Sequence, residues 1–474
     1  KIKKGVIWLF KLLNISYKNN MNIQGIIEKD KLTFNIRNFF IGLSYIVVII
    51  LIILKNNLQM DISMQMVTAI SIFNFIICRK GEEIEFLIFL LPFSTSIPIN
   101  FIIIANWIIL IFKNIKQISI NKNIIPSILI VVLEVISIID SRSSLSTIID
   151  FIMPFLYTSF VLLCYRKAVN YVRILKIFII SVIFTDLIYI IATFQKYDIS
   201  LFVTFKYRLG TLYYDDVKYL LNINANDLGL YNIFAISIAL LLIDKKKIKY
   251  IFFAFSMLIL TITGILTVSR AFFITYVLLI IGYLIIKKIK ITTILAIFFS
   301  FLIITLIGIL AIPNLLNGIY ANFVERFSEE EIFGGRGSIL AEYFEKMGES
   351  IHNTLIGVGI SNYAEKYDMS LKSHNATQEI IIAWGILGLF FIVMTHIEFF
   401  KAMKQKVQHK IEPIMIMPLV TLLFMIQSLQ FYSQGDRILL LIVAYWSIVV
   451  MEKQEINDNA IIDKGDKSER KVYS

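Results

Sequence analysis

Residues 245–288 read KKKIKYIFFAFSMLILTITGILTVSRAFFITYVLLIIGYLIIKK. Two apolar runs, 250–267 and 271–286, lie between two lysine clusters, and only Val268 to Arg270 join them. A helix needs roughly 17–25 apolar residues to cross the hydrocarbon core of a bilayer. The stretch therefore reads as two membrane helices in a tight hairpin. Lysines collect on the cytoplasmic side of membrane helices. Lys245-Lys246-Lys247 and Lys287-Lys288 thus place both open ends of the hairpin in the cytoplasm, and Arg270 at its outer tip.

The rest of the chain repeats this pattern. Its 474 residues are 58% hydrophobic and 17% charged, with a mean hydropathy of +0.77. A soluble domain cannot be built this way, because water requires a polar surface where lipid accepts an apolar one. The apolar runs fall at 38–54, 62–78, 84–96, 98–112, 124–140, 145–164, 174–194, 227–243, 250–267, 271–286, 291–312, 379–400, 414–431 and 437–451. The third and fourth are short and share a break from Pro92 to Pro98, as a tight hairpin or a re-entrant pair. The expected fold is all-α, a polytopic transmembrane bundle of about 12–14 helices. Its divisions are a cytoplasmic segment (1–37), amino-terminal helices (38–194), central helices with an outer loop (195–312, loop 195–226), one large extracytoplasmic loop (313–378), carboxy-terminal helices (379–451) and a cytoplasmic tail (452–474).

Arg79-Lys80, Lys113 to Lys122, Arg166-Lys167 and Lys401 to Lys410 fall in the same alternate connections as the lysines of the hairpin. Both termini are then cytoplasmic, in a multi-pass protein of the cytoplasmic membrane. No cleavable signal peptide is evident, so the first apolar run is expected to act as its own insertion signal. The net charge of +12 comes from these short clusters and does not point to nucleic acid. Cys78 and Cys164 each end an apolar run before basic residues, which suits neither a disulfide framework nor a metal site.

Arginine is distributed differently from lysine. Six of the eleven arginines (Arg142, Arg208, Arg270, Arg326, Arg336 and Arg437) fall on or near the outer face, against the positive-inside bias. A guanidinium fork matches phosphate bidentately and keeps its charge when partly desolvated. Each such arginine is a candidate anion ligand, or else the partner of an acid such as Asp140, Asp215, Asp216, Glu325 or Asp436. The Asp215-Asp216 pair alone more often solvates a loop than ligates a metal. Gly357-Val358-Gly359 lacks the strand-to-helix context of a dinucleotide fingerprint, and no phosphate-binding glycine loop or nucleophile elbow is present. No metal or cofactor is expected. Of the four histidines, His352 and His374 face outward, each followed by asparagine, and an imidazole near neutrality can take a proton from an attacking hydroxyl. His396 lies toward the inner end of a helix and His409 in a cytoplasmic loop.

The order of motifs from about 205 to 390 resembles the O-antigen polymerase/ligase superfamily. The matching segments are Arg208-Leu209-Gly210-Thr211, then Asn222-Ile223-Asn224-Ala225-Asn226-Asp227-Leu228-Gly229, then Ser269-Arg270 between two helices. Gly335-Arg336-Gly337-Ser338 and Gly357-Val358-Gly359 follow in the large loop, which closes with His374-Asn375 leading to Gly385-Ile386-Leu387-Gly388. The likeness spans about 180 residues, and Arg336 lacks the tryptophan that often follows it in the family.

The resemblance implies a glycosyltransferase-C-like, metal-independent membrane enzyme. It would move a glycan from a polyprenyl diphosphate to a sugar hydroxyl at the extracytoplasmic face. On that pattern Arg208, Arg270 and Arg336 bind the diphosphate, His374 is catalytic, and Asn375 supports it. The expected partners are the polyprenyl-diphosphate-linked oligosaccharide, the lipid bilayer, a chain-length regulator and a flippase. A polysaccharide polymerase is the primary expectation and a ligase with another acceptor the alternative. The rival of another class is a lipid-linked oligosaccharide flippase, for which Glu134 and Asp186 would be the intramembrane charges. A scaffold for other assembly proteins is the third reading.

Overall fold

The structure is a computed structural model that describes residues 26–140, 142–165, 169–195, 197–199, 208–210, 224–289, 336–361, 363–369 and 372–451, with the side chains of 26–35 and 336–338 excepted. The expected span 291–312, the Asp215-Asp216 pair, the loop from 313 to 335 and the tail 452–474 lie outside the described residues. Among the described residues there is no strand beyond one isolated bridge, Ile118 to Tyr165. Six helices are long and apolar enough to cross a membrane: Ile36–Asn56, Ile99–Gln117, Lys122–Ile139, Tyr171–Phe194, Ala225–Asp244 and Ala376–Lys406. The chain is a helical membrane protein. Shorter apolar helices, among them Gln65–Ile77, Tyr250–Leu266, Arg270–Ile286 and Pro413–Ser428, fall at other expected spans.

Burial follows membrane rules rather than soluble ones. In the Tyr250–Leu266 helix the buried residues are Ser256, Leu260, Thr263 and Gly264, while Ile251, Leu258 and Ile262 are exposed. Small and hydroxylated side chains let helices approach closely, and large apolar ones face lipid at no cost. Ser256 and Thr263 each donate to the carbonyl four residues earlier, so their hydroxyls are satisfied within the helix. The Ala225–Asp244 helix is the opposite case. It is buried almost throughout and packs against the Tyr171–Phe194, Tyr250–Leu266, Arg270–Ile286 and Pro413–Met425 helices. It is the centre of the bundle.

The Pro92-to-Pro98 break resolves as a tight hairpin. The Glu83–Leu90 helix is buried at every residue and runs into a 3-10 segment, Leu91–Ser96, before the Ile99–Asn114 helix returns. At 1.5 Å per α residue and 2.0 Å per 3-10 residue, these elements reach about 24 Å, most of the roughly 30 Å core. The tighter helix lets a short run span most of the membrane. The described part of the 313–378 segment is helical too. Its short helices Arg336–Gly348, Ile351–Ile356 and Tyr363–Lys366 pack on a cluster of Tyr343, Val358, Tyr363 and Tyr367. Burial pushes the Tyr367 phenol up to about 12, with Arg142 pulling the other way, so this aromatic cluster stays neutral at physiological pH.

Candidate functional site

Three of the sequence motifs meet at one end of the bundle. The turn Arg208-Leu209-Gly210 docks on the tip of the hairpin, with the Leu209 amide donating to the Leu266 carbonyl at 2.8 Å. Arg208 Nε donates to the Thr267 carbonyl, and its Nη2 to Asn226 Oδ1, each at 3.0 Å. The same Asn226 oxygen accepts from Ser269 Oγ at 2.9 Å. One amide oxygen thus ties segments 18 and 43 residues away in sequence. Gly229 packs against the same tip, where a Cβ would meet Phe272 and Ser269 in ordinary contact at 3.4 and 3.5 Å. Val268, at the hairpin tip, holds φ of +47°. A β-branched residue in that region is strained by roughly 1–2 kcal/mol, and such strain gathers at functional sites.

This geometry suits an anion. Asn224 caps the Ala225–Asp244 helix and Ser269 caps the Arg270–Ile286 helix, so both positive helix N-termini lie beside the fixed Arg208 guanidinium. Arg270 is the first residue of its helix. Helix N-termini and guanidinium groups together favour phosphate oxygens.

A second group of contacts lies at the start of the Ala376–Lys406 helix. Asn375 is its cap, accepting from the amides of Thr377 at 2.9 Å and Gln378 at 3.1 Å. Its side-chain amide donates to the Gln427 carbonyl at 2.8 Å. Asn375 therefore fixes the helix start, and with it the position of His374, which is partly buried one residue earlier. Glu379 is fully buried and accepts from three successive backbone amides, Phe431, Tyr432 and Ser433, at 2.8, 2.8 and 3.1 Å. A carboxylate held by several backbone amides is well solvated by the protein itself.

Arg437 joins the two groups. It pairs with Asp227 at 2.6 Å and donates to the Gln430 carbonyl. The sequence offered Asp436 as an arginine partner, yet Asp436 accepts from Ser94 Oγ at 2.6 Å instead. The Asp227–Arg437 pair is nearly buried, with side-chain exposures of 13% and 10%. Arg208, Asn226, Asp227, Arg437 and the 426–433 turn thus form a continuous chain of contacts to Asn375, beside His374.

The glycine motifs of the large loop have a packing role. The 383–385 backbone of the long helix lies directly on 355–359. Gly385 (φ +64°) interrupts that helix, and a Cβ on it would sit 2.3 Å from the Leu355 carbonyl carbon. A Cβ on Gly357 (φ +78°) would sit 2.3 Å from the Ala383 oxygen, and the Gly359 amide donates to that same oxygen at 2.7 Å. Glu134 fastens the contact. It accepts from the Ile360 amide at 3.0 Å, from Trp384 Nε1 at 2.7 Å and from Ser143.

Other sequence candidates fall elsewhere. Arg336 opens the Arg336–Gly348 helix, and its side chain lies outside the described residues. His352-Asn353 is in a short helix where Arg142 reaches Asn353 at 3.4 Å. His396 is half-buried between the hydroxyls of Tyr445 and Tyr432, at 2.8 and 3.1 Å. Between Ser94–Phe101, Ser146–Asp150, Asp227 and Ser433–Arg437 lies an open cavity of about 600 Å³. Sequence reasoning gave no role to Glu379 or Asp150, and quoted Asp227 only within a motif, although a lone acid at the end of an apolar run is itself a signal. No protein-family profile matches this chain, and no curated protein matches it.

Proposed function

We propose that this protein is a membrane glycosyltransferase that polymerises polyprenyl-diphosphate-linked oligosaccharides at the outer face of the cytoplasmic membrane. The observation that carries the reading is the convergence of Arg208, Asn226 and Ser269-Arg270 on two helix N-termini, linked by contacts to the His374-Asn375 helix start. In the reaction an acceptor hydroxyl oxygen attacks the anomeric carbon of the donor. The bond from that carbon to the diphosphate oxygen breaks, the hydroxyl proton passes to His374, and the lipid diphosphate leaves. Arg208 and Arg270 bind the leaving group as its charge grows, which lowers the barrier more than it stabilises the ground state. Arg336 is the third candidate for this role. No metal or nucleotide sugar is required. The chain-length regulator and flippase belong to this proposal as partners.

The flippase reading has less support. Glu134 is occupied by three protein donors, and Asp186 accepts from Asn232 at 3.2 Å, so both act as packing polar groups rather than cavity charges. The test uses cells that make the polymer. His374→Ala should stop chain growth while single lipid-linked repeat units persist, with a loss of about 10²–10⁴-fold. Arg208→Lys should fail in the same way, because an ammonium cannot replace a bidentate fork. Normal polymer in both variants, at normal protein abundance, would falsify the assignment.

A further inference from the structure

The turn from Gln427 to Ser433 touches both groups of site residues. The Gln427 carbonyl accepts from the Asn375 side-chain amide at 2.8 Å, and Gln427 Oε1 accepts from the Thr377 hydroxyl at 2.8 Å. The Gln430 carbonyl accepts from Arg437, whose other terminal nitrogen pairs with Asp227. One turn thus borders the start of the His374 helix on one side and the Asp227–Arg437 pair on the other. Three of its successive amides, Phe431, Tyr432 and Ser433, converge on a single side chain, Glu379.

Successive backbone N–H groups form a concave nest that favours an acidic group. Here the occupant is the protein's own Glu379, whose residue exposure is 0%. Glu379 lies four residues after Asn375, one helical turn further on the same face. The first turn of the helix therefore grips the 427–433 turn twice, through Asn375 at the cap and through Glu379 beneath it. Both carboxyl oxygens are used, Oε2 by Phe431 and Tyr432 and Oε1 by Ser433. Only an acidic side chain offers acceptors on both arms of its fork; a glutamine would set its NH2 group against one of these amides. Burying an acid costs more than burying an amide, so a contact that served packing alone could be made more cheaply by a neutral side chain.

We propose that Glu379 is a positioning residue for the transfer. By holding the 427–433 turn it fixes the start of the His374 helix relative to the Asp227–Arg437 pair. Asn226, next to Asp227, carries the same constraint to Arg208. The group that takes the hydroxyl proton and the group that binds the diphosphate are then kept at one separation. This role in the reaction rests on the proposed function, whereas the grip of Glu379 on the turn does not. A reacting group displaced by about 1 Å can lose about 10²-fold in rate.

The test uses the full chain purified in detergent, with lipid-linked repeat units as substrate. Its first readout needs no activity. Diethylpyrocarbonate acylates neutral imidazole, and peptide mass spectrometry follows His374 and His352 separately. In Glu379→Gln the rate at His374 should rise about tenfold, as one lost hydrogen bond of about 1.4 kcal/mol allows, while His352 in its own short helix keeps its rate. Glu398→Gln, on the same helix as Glu379, breaks only the pair with Lys401 and should leave both rates unchanged. An unchanged His374 rate in Glu379→Gln overturns the positioning. The second readout is turnover. In Glu379→Gln kcat should fall about 10²-fold with KM for the lipid-linked donor unchanged, because Arg208 keeps its contacts to Thr267 and Asn226. A normal kcat, or a rise in KM alone, overturns the link to the reaction. If Glu379→Gln is not monodisperse, Thr377→Val carries both readouts, since it removes an exposed tie between the same two turns. It should move the His374 rate and kcat in the same directions by less, and no movement in either overturns the proposal. Normal polymer in His374→Ala would reject the catalytic reading while the His374 rate still decides whether Glu379 holds the turn.

Discussion

Gly385→Ala tests whether the crossing of 355–359 over the broken helix holds this end of the bundle together. The backbone there has φ +64° and ψ −162°, a region essentially confined to glycine. An alanine would cost on the order of 1–3 kcal/mol in backbone strain alone. Its Cβ would also lie 2.3 Å from the Leu355 carbonyl carbon and 2.6 Å from the Ile356 amide. Those atoms are backbone, more than 1 Å inside normal contact, so 355–356 must withdraw. Withdrawal stretches the bond from the Gly359 amide to the Ala383 carbonyl, worth about 1 kcal/mol. The total is on the order of 2–4 kcal/mol. In a detergent-solubilised sample, the temperature at which half the protein remains monodisperse should drop by about 2–4 °C. Gly282→Ala is the control, because it lies within the Arg270–Ile286 helix with nothing within 4 Å. It should be neutral or gain about 0.5–1 kcal/mol. Equal midpoints for the two variants would refute the reasoning, since the same chemical change would then be tolerated at a backbone crossing and at an open site.

Asp227→Asn leaves Arg437 without its buried counter-charge and should lower stability by about 3–5 kcal/mol, read as the same midpoint. The charge-swapped Asp227→Arg, Arg437→Asp protein should recover part of that loss, and no recovery would argue that the pair does more than balance charge. Trp384→Phe removes one donor to Glu134 and should cost about 1–3 kcal/mol by the same midpoint, and an unchanged midpoint would argue that Glu134 does not fasten this contact. Ile351→Cys, at an 80% exposed position of the large loop, should label in intact cells with an impermeant maleimide, while Lys404→Cys should label only after lysis; the native cysteines are both buried. The reverse pattern would invert the topology.

The hairpin at 245–288 shows how much the sequence decided alone. Its two apolar runs, its lysine ends and its Ser269-Arg270 tip were all legible, because lipid imposes length and charge rules that act along the chain. The cap at Asn375 was legible for a similar reason, since capping is a contact with residues two and three positions on. Partners distant in sequence were not. Asp227 and Arg437 are 210 residues apart, and Glu379 meets amides more than 50 residues away. Hydropathy marked Glu83–Leu90 and Tyr250–Leu266 alike, yet the first is wholly buried and the second shows much of its surface. Apolar side chains suit both lipid and a protein interior, so the pattern cannot say which face meets another helix. Only the packing of the helices decided that one asparagine would hold Arg208 and Ser269 together, and that three aspartates would share a cavity.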